Sequence, residues 1–232
     1  LKLIFFLLIF CVAFSQNNKQ VAFRELTVEQ GLSQNSVVSI AQDSIGFMWF
    51  ATQDGLNKYD GRNFTHFDIQ FEDVTRPTFS KLGKIYVSKN GELWIVSNSG
   101  ILQKYDPEND TFNVISTVNN VSTIIQSESL DYFLATYGNG IYRINHQTKD
   151  TIQFLKPKDS KRTVYNFFET KDKTILALTN NGIFEIKNDE YIFSEIISGT
   201  NFSAASQAID NTLYIGSSGK GLFIKKEKQP HF

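Results

Sequence analysis

The chain has 232 residues, with 23 Lys and Arg against 24 Asp and Glu, a net charge of −1, and one cysteine. That balance excludes the basic footprint of a nucleic-acid or anionic-lipid binder. A lone cysteine excludes a disulfide framework, so cohesion has to come from apolar burial and sheet hydrogen bonds, in a chain long enough for a real core.

Residues 1–15 read as a secretory signal peptide. Lys2 precedes an unbroken apolar run from Leu3 to Phe14 with small residues at Ala13 and Ser15, and cleavage is expected after Ser15. The run is 12 residues, short of the roughly 20 that a hydrocarbon core requires. Cys11 lies inside it behind Phe10, an aromatic that argues against a lipoprotein cleavage box, so the mature chain has no cysteine. Next comes "VAFREL", residues 21–26, a strand-like stretch, and then "GLSQNS", residues 31–36. In that loop Ser33, Gln34 and Asn35 are the candidate ligand-binding residues, offering donors and acceptors at a ring surface or central channel; the bland alternative has Asn35 and Ser36 capping a turn.

From here the chain repeats itself. "FATQDGLNKY", "IVSNSGILQKY", "LATYGNGIYRI", "ALTNNGIFEI" and "IGSSGKGLFI" share an apolar run, a Thr or Ser, turn residues, a glycine and a second β-rich stretch. The marker glycines fall at 55, 100, 140, 182 and 221, a mean interval of 41.5 residues. Short strands with turn signals at this period predict an all-β fold, a β-propeller in which each repeat is one four-stranded antiparallel blade. The spacing predicts blades at about 37–68, 81–115, 121–154, 164–196 and 203–232, the last incomplete. In the first, Met48 to Thr52 is the second strand, Leu56 to Tyr59 the third, and Phe64 opens the fourth. Adjacent Phe47, Trp49 and Phe50 fit a strand buried on both faces, with Trp94, Phe133 and Tyr214 at comparable places.

Chemistry is sparse. His66, His146 and His231 fall in different repeats, without metal-ligand spacing to one another or to a cysteine. "SSGKG" lacks the first glycine and the hydroxyl residue of a phosphate loop, and "GNGIYR" has Arg143 where a dinucleotide fingerprint needs its third glycine. Asp54 with Asp60, and Glu108 with Asp110, lie in turns that favour Asp for local backbone bonding. No catalytic residue, metal or cofactor is expected, and the chain reads as a non-enzyme.

Residues 26–67, "LTVEQGLSQNSVVSIAQDSIGFMWFATQDGLNKYDGRNFTHF", resemble the two-component regulator propeller repeats found in the periplasmic sensor region of bacterial hybrid two-component histidine kinases. The resemblance is strong in the first repeat and looser in the next four, where the "YD" ending of Tyr59-Asp60 and Tyr105-Asp106 gives way to Arg143-Ile144, Glu185-Ile186 and Phe223-Ile224. It implies an exported sensor of an oligosaccharide or another small molecule, dimeric through its parent, with membrane attachment and kinase carried by a downstream segment. Phe232 sits where the fourth strand of the fifth blade is due to begin, which reads as an interruption, and the resemblance implies a larger propeller of about seven blades. A closed five-blade ring, with residues 21–26 completing the last blade, is the rival. The other functions considered are a free-standing lyase or glycan-processing enzyme and a secreted interaction scaffold.

Overall fold

The computed structural model describes residues 22–69, 83–115, 117–155, 163–187 and 193–226. The expected signal peptide, Tyr191, His231 and Phe232 lie outside them.

Among the described residues five antiparallel sheets follow one another in chain order. The first is β1 (Val37–Gln42), β2 (Met48–Thr52), β3 (Gly55–Tyr59) and β4 (Phe64–Phe67). The second is β5 (Lys84–Val87), β6 (Leu93–Val96), β7 (Leu102–Asp106) and β8 (Thr111–Ile115). The third is β9 (Val121–Gln126), β10 (Tyr132–Thr136), β11 (Ile141–Ile144) and β12 (Thr151–Leu155). The fourth is β13 (Val164–Glu169), β14 (Ile175–Thr179), β15 (Gly182–Ile186) and β16 (Phe193–Ser198). The fifth has β17 (Phe202–Gln207), β18 (Leu213–Ser217) and β19 (Gly221–Lys225). Every sheet pairs its strands in chain order. Residues 22–26 lie outside any strand and the fifth sheet has three strands, so the described part of "VAFREL" does not complete the last blade. A β-rich stretch needs a sheet edge to pair with, and these residues take none.

The repeated grammar has a local cause. In four of the five blades the hairpin between second and third strands is closed by a hydroxyl donating to the marker glycine's carbonyl: Thr52 to Gly55 (3.0 Å), Thr136 to Gly140 (2.9 Å), Thr179 to Gly182 (2.8 Å) and Ser217 to Gly221 (2.7 Å); in the second blade the Ser97 hydroxyl instead accepts the Ile101 N–H at 3.2 Å. Gly55 has φ +124°, and a Cβ there would lie 2.8 Å from the Phe67 carbonyl oxygen. At Gly100 it would lie 2.7 Å from Asn120 Cα. Neither position admits another residue without moving backbone.

First strands pack on first strands, β1 on β5, β5 on β9, β9 on β13 and β13 on β17, so the sheets fan about a shared line as propeller blades do. Between successive sheets lies an apolar layer. Trp49, Ala51 and Leu56 meet Ile85, Leu93 and Ile95. Trp94, Val96 and Leu102 meet Val121, Ile124 and Leu134. Phe133, Ala135 and Ile141 meet Phe167, Ile175 and Phe184. Leu176, Leu178 and Ile183 meet Phe202, Leu213 and Ile215. Alternate residues of one strand face opposite neighbours, which is why the sequence writes continuous apolar runs where a half-wetted sheet would alternate.

Candidate functional site

The loop singled out in the sequence is fastened to the first blade. Thr27 caps a single 3-10 turn, Val28–Gln30, and Asn35 Oδ1 accepts the Val28 N–H at 2.9 Å. The Ser33 N–H donates to Asn57 Oδ1 (2.9 Å), Asn57 Nδ2 donates back to Ser33 Oγ (2.8 Å), and that hydroxyl also meets Thr52 Oγ1 at 2.8 Å. Gln34 Nε2 donates to Gln53 Oε1 at 3.0 Å, while its own oxygen accepts the Ser36 N–H. Asn57 is fully buried in β3, where its Nδ2 also donates to the Phe50 carbonyl at 3.2 Å, and the loop supplies the N–H that its Oδ1 accepts. Ser33 and Gln34 therefore lie on the end of the sheet that carries the β2–β3 hairpin, with their side chains engaged by protein.

A second polar group lies among the inner strands. Lys84 of β5 reaches past the third blade, donating to the Tyr165 carbonyl (2.5 Å) and Asn166 Oδ1 (3.2 Å) of β13. Ser122 Oγ of β9 donates to the Val164 carbonyl at 2.6 Å, tying the third and fourth blades at the same level. Burial pushes the Lys84 ammonium down to about 8. No carboxylate bonds it among the described residues, and desolvation prevails.

The third feature is an open cleft of about 440 Å³ between the fourth and fifth blades, a size within the usual range for small-molecule sites. Its cause is one missing ring. The second residue of each blade's second strand is Trp49, Trp94, Phe133, Leu176 and Tyr214 in turn. Trp49 fills its joint against Tyr105 (ring centroids 4.9 Å) and Trp94 its own against Tyr132 (4.9 Å). Where Leu176 meets Leu213, no ring fills the space, and the cleft opens between Lys171, Asp172, Glu185, Gln207 and Lys225. In the second joint the places of Glu185 and Thr174 are taken by Lys104 and Glu92, which pair at 2.5 Å and close it. Carboxylates and ammonium groups around a half-apolar floor suit a polyhydroxylated ligand with both donors and acceptors. Sequence reading passed over this cleft because its signal is an absence: "ILALT" lacks the ring that "MWFAT", "LWIVS" and "YFLAT" carry at the same position.

The structure does not gather the remaining candidates. His66 Nε2 lies 2.7 Å from the Gly31 carbonyl in the first blade, and His146 Nδ1 lies 3.1 Å from Asp131 in the third. Asp60 accepts the Arg62 and Asn63 N–H groups at 2.7 Å each and is thereby held below the usual carboxylate range. Asp110 accepts from Tyr105 and, at 3.0 Å, from Lys58. The loop at Ser33 and the cleft at Lys171 sit at opposite ends of the strands, one by a second-to-third hairpin and the other by a first-to-second turn.

Comparison with known proteins agrees with this architecture. Residues 31–54 match the family described as two component regulator propeller. A 64-residue stretch, 28% of this chain, is 42% identical to Histidine kinase P4 of Formosa agariphila, of which it spans 5%. The extracellular domains of two proteins from B. thetaiotaomicron, assigned to hybrid two component systems, share the fold. One is 20% identical over 90% of this chain and 32% of its own (TM-score 0.65), the other 23% identical over 89% and 36% (TM-score 0.53). The chain thus spans about a third of each of these structural relatives. It is an all-β propeller chain in which the Ser33 loop and the first two strands of the first blade are similar to the two component regulator propeller family.

Proposed function

We propose that this chain is the exported, ligand-sensing propeller part of a two-component signalling protein, working by binding rather than turnover. The observation that carries the reading is the regulator-propeller repeat at residues 31–54, set in the blade that opens the fan. The likeness to extracellular domains of hybrid two component systems supports an exported, periplasmic placement with the parent anchored in the inner membrane. The ligand is an oligosaccharide or another small polyhydroxylated molecule, held in the cleft by Glu185, Asp172, Lys171 and Lys225. Ser33, Gln34 and Asn35 form a second, shallower contact, chiefly through exposed Asn35. A ligand gripping two blades at once favours one setting of the fourth blade against the fifth, and that difference in affinity is the free energy available for a signal across a dimeric parent.

The test is a thermal-shift and calorimetric screen of the purified chain against neutral and acidic oligosaccharides. Binding is expected to raise the melting midpoint by mass action, and to fall about tenfold in Glu185→Gln and in Lys225→Met, each removing one charged hydrogen bond. A panel that gives no shift overturns the sensing assignment, and release of shorter products from any member overturns the non-enzymatic one.

A further inference from the structure

The first four blades have one polar place in common. It is the third-strand residue opposite the second residue of the second strand: Lys58 opposite Trp49, Lys104 opposite Trp94, Arg143 opposite Phe133 and Glu185 opposite Leu176. In the first three blades the chain puts a cation there and gives it a partner. Lys58 lies over the Phe47 ring (4.8 Å to its centroid) and donates to Asp110 at 3.0 Å. Lys104 pairs with Glu92 at 2.5 Å, and Arg143 Nε donates to Asp131 at 2.6 Å. Phe47, Glu92 and Asp131 also hold one position, two residues ahead of Trp49, Trp94 and Phe133. Cation and partner thus come from the same two places in each blade.

The fourth blade inverts the arrangement. It has Glu185 at the cation's place and Thr174 at the partner's, with Asp172 beside them accepting from the Thr170 hydroxyl and, at 3.5 Å, from that of Thr174. Glu185, Thr174 and Asp172 all line the cleft. This wall therefore presents two carboxylates where three blades supply a cation. Among the described residues Glu185 has one ion pair, to Lys187 at 3.4 Å, and the Lys187 side chain is 61% exposed. Exposed pairs of that kind contribute little and yield to a better partner.

The facing wall has the opposite sign, since the fifth blade contributes Lys225 and Lys226. Lys171 is engaged elsewhere: its ammonium donates to the Ala208 and Ile209 carbonyls at 2.7 and 3.0 Å, tying the turns of the two blades together. Leu176 and Leu213 supply apolar lining. A molecule entering between walls of opposite charge displaces water from both, and only opposite charges on that molecule restore charge-assisted bonds to each.

We propose that the cleft selects a zwitterionic saccharide, one that carries a free amino group and a carboxylate on adjoining sugars. The ligand's ammonium meets Glu185 and supplies the cation that Lys58, Lys104 and Arg143 supply in the other blades. Its carboxylate meets Lys225 and Lys226, and the apolar faces of its rings lie on Leu176 and Leu213. This charge assignment rests on the sensing role proposed for the cleft.

Calorimetric titration of the full chain with forms of one disaccharide, glucosamine linked to glucuronic acid, separates the two charges. The forms have both groups free, the amine acetylated, the carboxylate reduced to the alcohol, or both blocked. The zwitterion is expected to bind tightest, and blocking either charge to weaken binding about tenfold, the effect of one charge-assisted hydrogen bond. Glu185→Gln should erase the preference for the free amine over the acetylated one and leave the affinity for the acetylated form unchanged. Thr174→Glu combined with Glu185→Lys rebuilds the pair seen at Lys104 and Glu92; it should close the cleft and abolish binding of every form, with a melting midpoint no lower than the parent's showing that the fold survives. Equal binding of all forms overturns the proposal and leaves the sensing role standing, as does a preference for the free amine that survives Glu185→Gln. Failure of every form to bind overturns it too, and the sensing role falls with it only where the neutral and acidic oligosaccharides also give no shift.

Discussion

The third blade and the first use the same strand plan and sit in different surroundings. Every residue of β9 is buried, from Val121 to Gln126, whereas β1, in the same place in its sheet, has none buried. Their sequences, "VSTIIQ" and "VVSIAQ", barely differ in apolar content. The contrast teaches that a blade's first strand acquires its core from the sheets on either side of it. Stability in this molecule belongs to the joints between sheets, as in any repeat array whose modules cannot bury their faces alone.

The largest test of that view is Phe133→Ala. The ring is fully buried in the joint between the third and fourth blades and packs edge-on against Phe154 at 5.3 Å. Its loss is expected to destabilise by about 3–5 kcal/mol in urea unfolding. A loss below about 1 kcal/mol would mean that joints relax around cavities and that blades are stable singly.

Asn57→Ala comes next, because it probes the hairpin end of the first blade, which a loop fastens instead of a sheet. It deletes both partners of Ser33 on β3 and is expected to cost about 2 kcal/mol, the penalty for leaving buried polar groups unpaired. Hydrogen exchange at residues 27–36 should rise with it. Exchange there that stays slow would show that the loop is held by something other than Asn57.

Lys84 probes the inner strands through pH. Its folded value, about 8, lies below the ordinary 10.5. The folded chain therefore binds fewer protons than the unfolded one between about pH 8 and 10.5, and stability should rise across that window. Below it both states carry the charge and the burial penalty is present in full. Lys84→Met is thus expected to stabilise the chain by about 1–2 kcal/mol at pH 7 and to remove the rise, read as the difference between variant and parent in urea midpoints. Parallel pH profiles for the two would mean that Lys84 stays hydrated in the fold.

Much of this architecture was legible in the sequence, for a physical reason. The hairpin of Thr52 and Gly55 is local, and the position of Trp49, Trp94 and Phe133 in their strands follows from counting back from it. What was not legible is what depends on a neighbour. Gln42, Gln126 and Gln207 look alike in the chain, and only the packing shows that Gln126 and Gln207 join neighbouring blades. The cleft escaped for the same reason, since a leucine at 176 is unremarkable until the rings at its counterparts are seen filling the other joints. Residues 22–26 misled in the opposite sense: their strand-like pattern is local, and pairing is not.

The smallest expected effect is the sharpest test of the comparison. Ile40 and Phe167 hold one register position, opposite Phe50 and Ala177 respectively, yet Ile40 is 57% exposed and Phe167 only 7%. If surroundings set the energetics, Phe167→Ala should cost about 3 kcal/mol, whereas Ile40→Ala should stay within about 0.5 kcal/mol, as surface truncations do. Urea midpoints separate the two. Equal losses would contradict the open face assigned to β1, because a side chain cannot lose burial it never had.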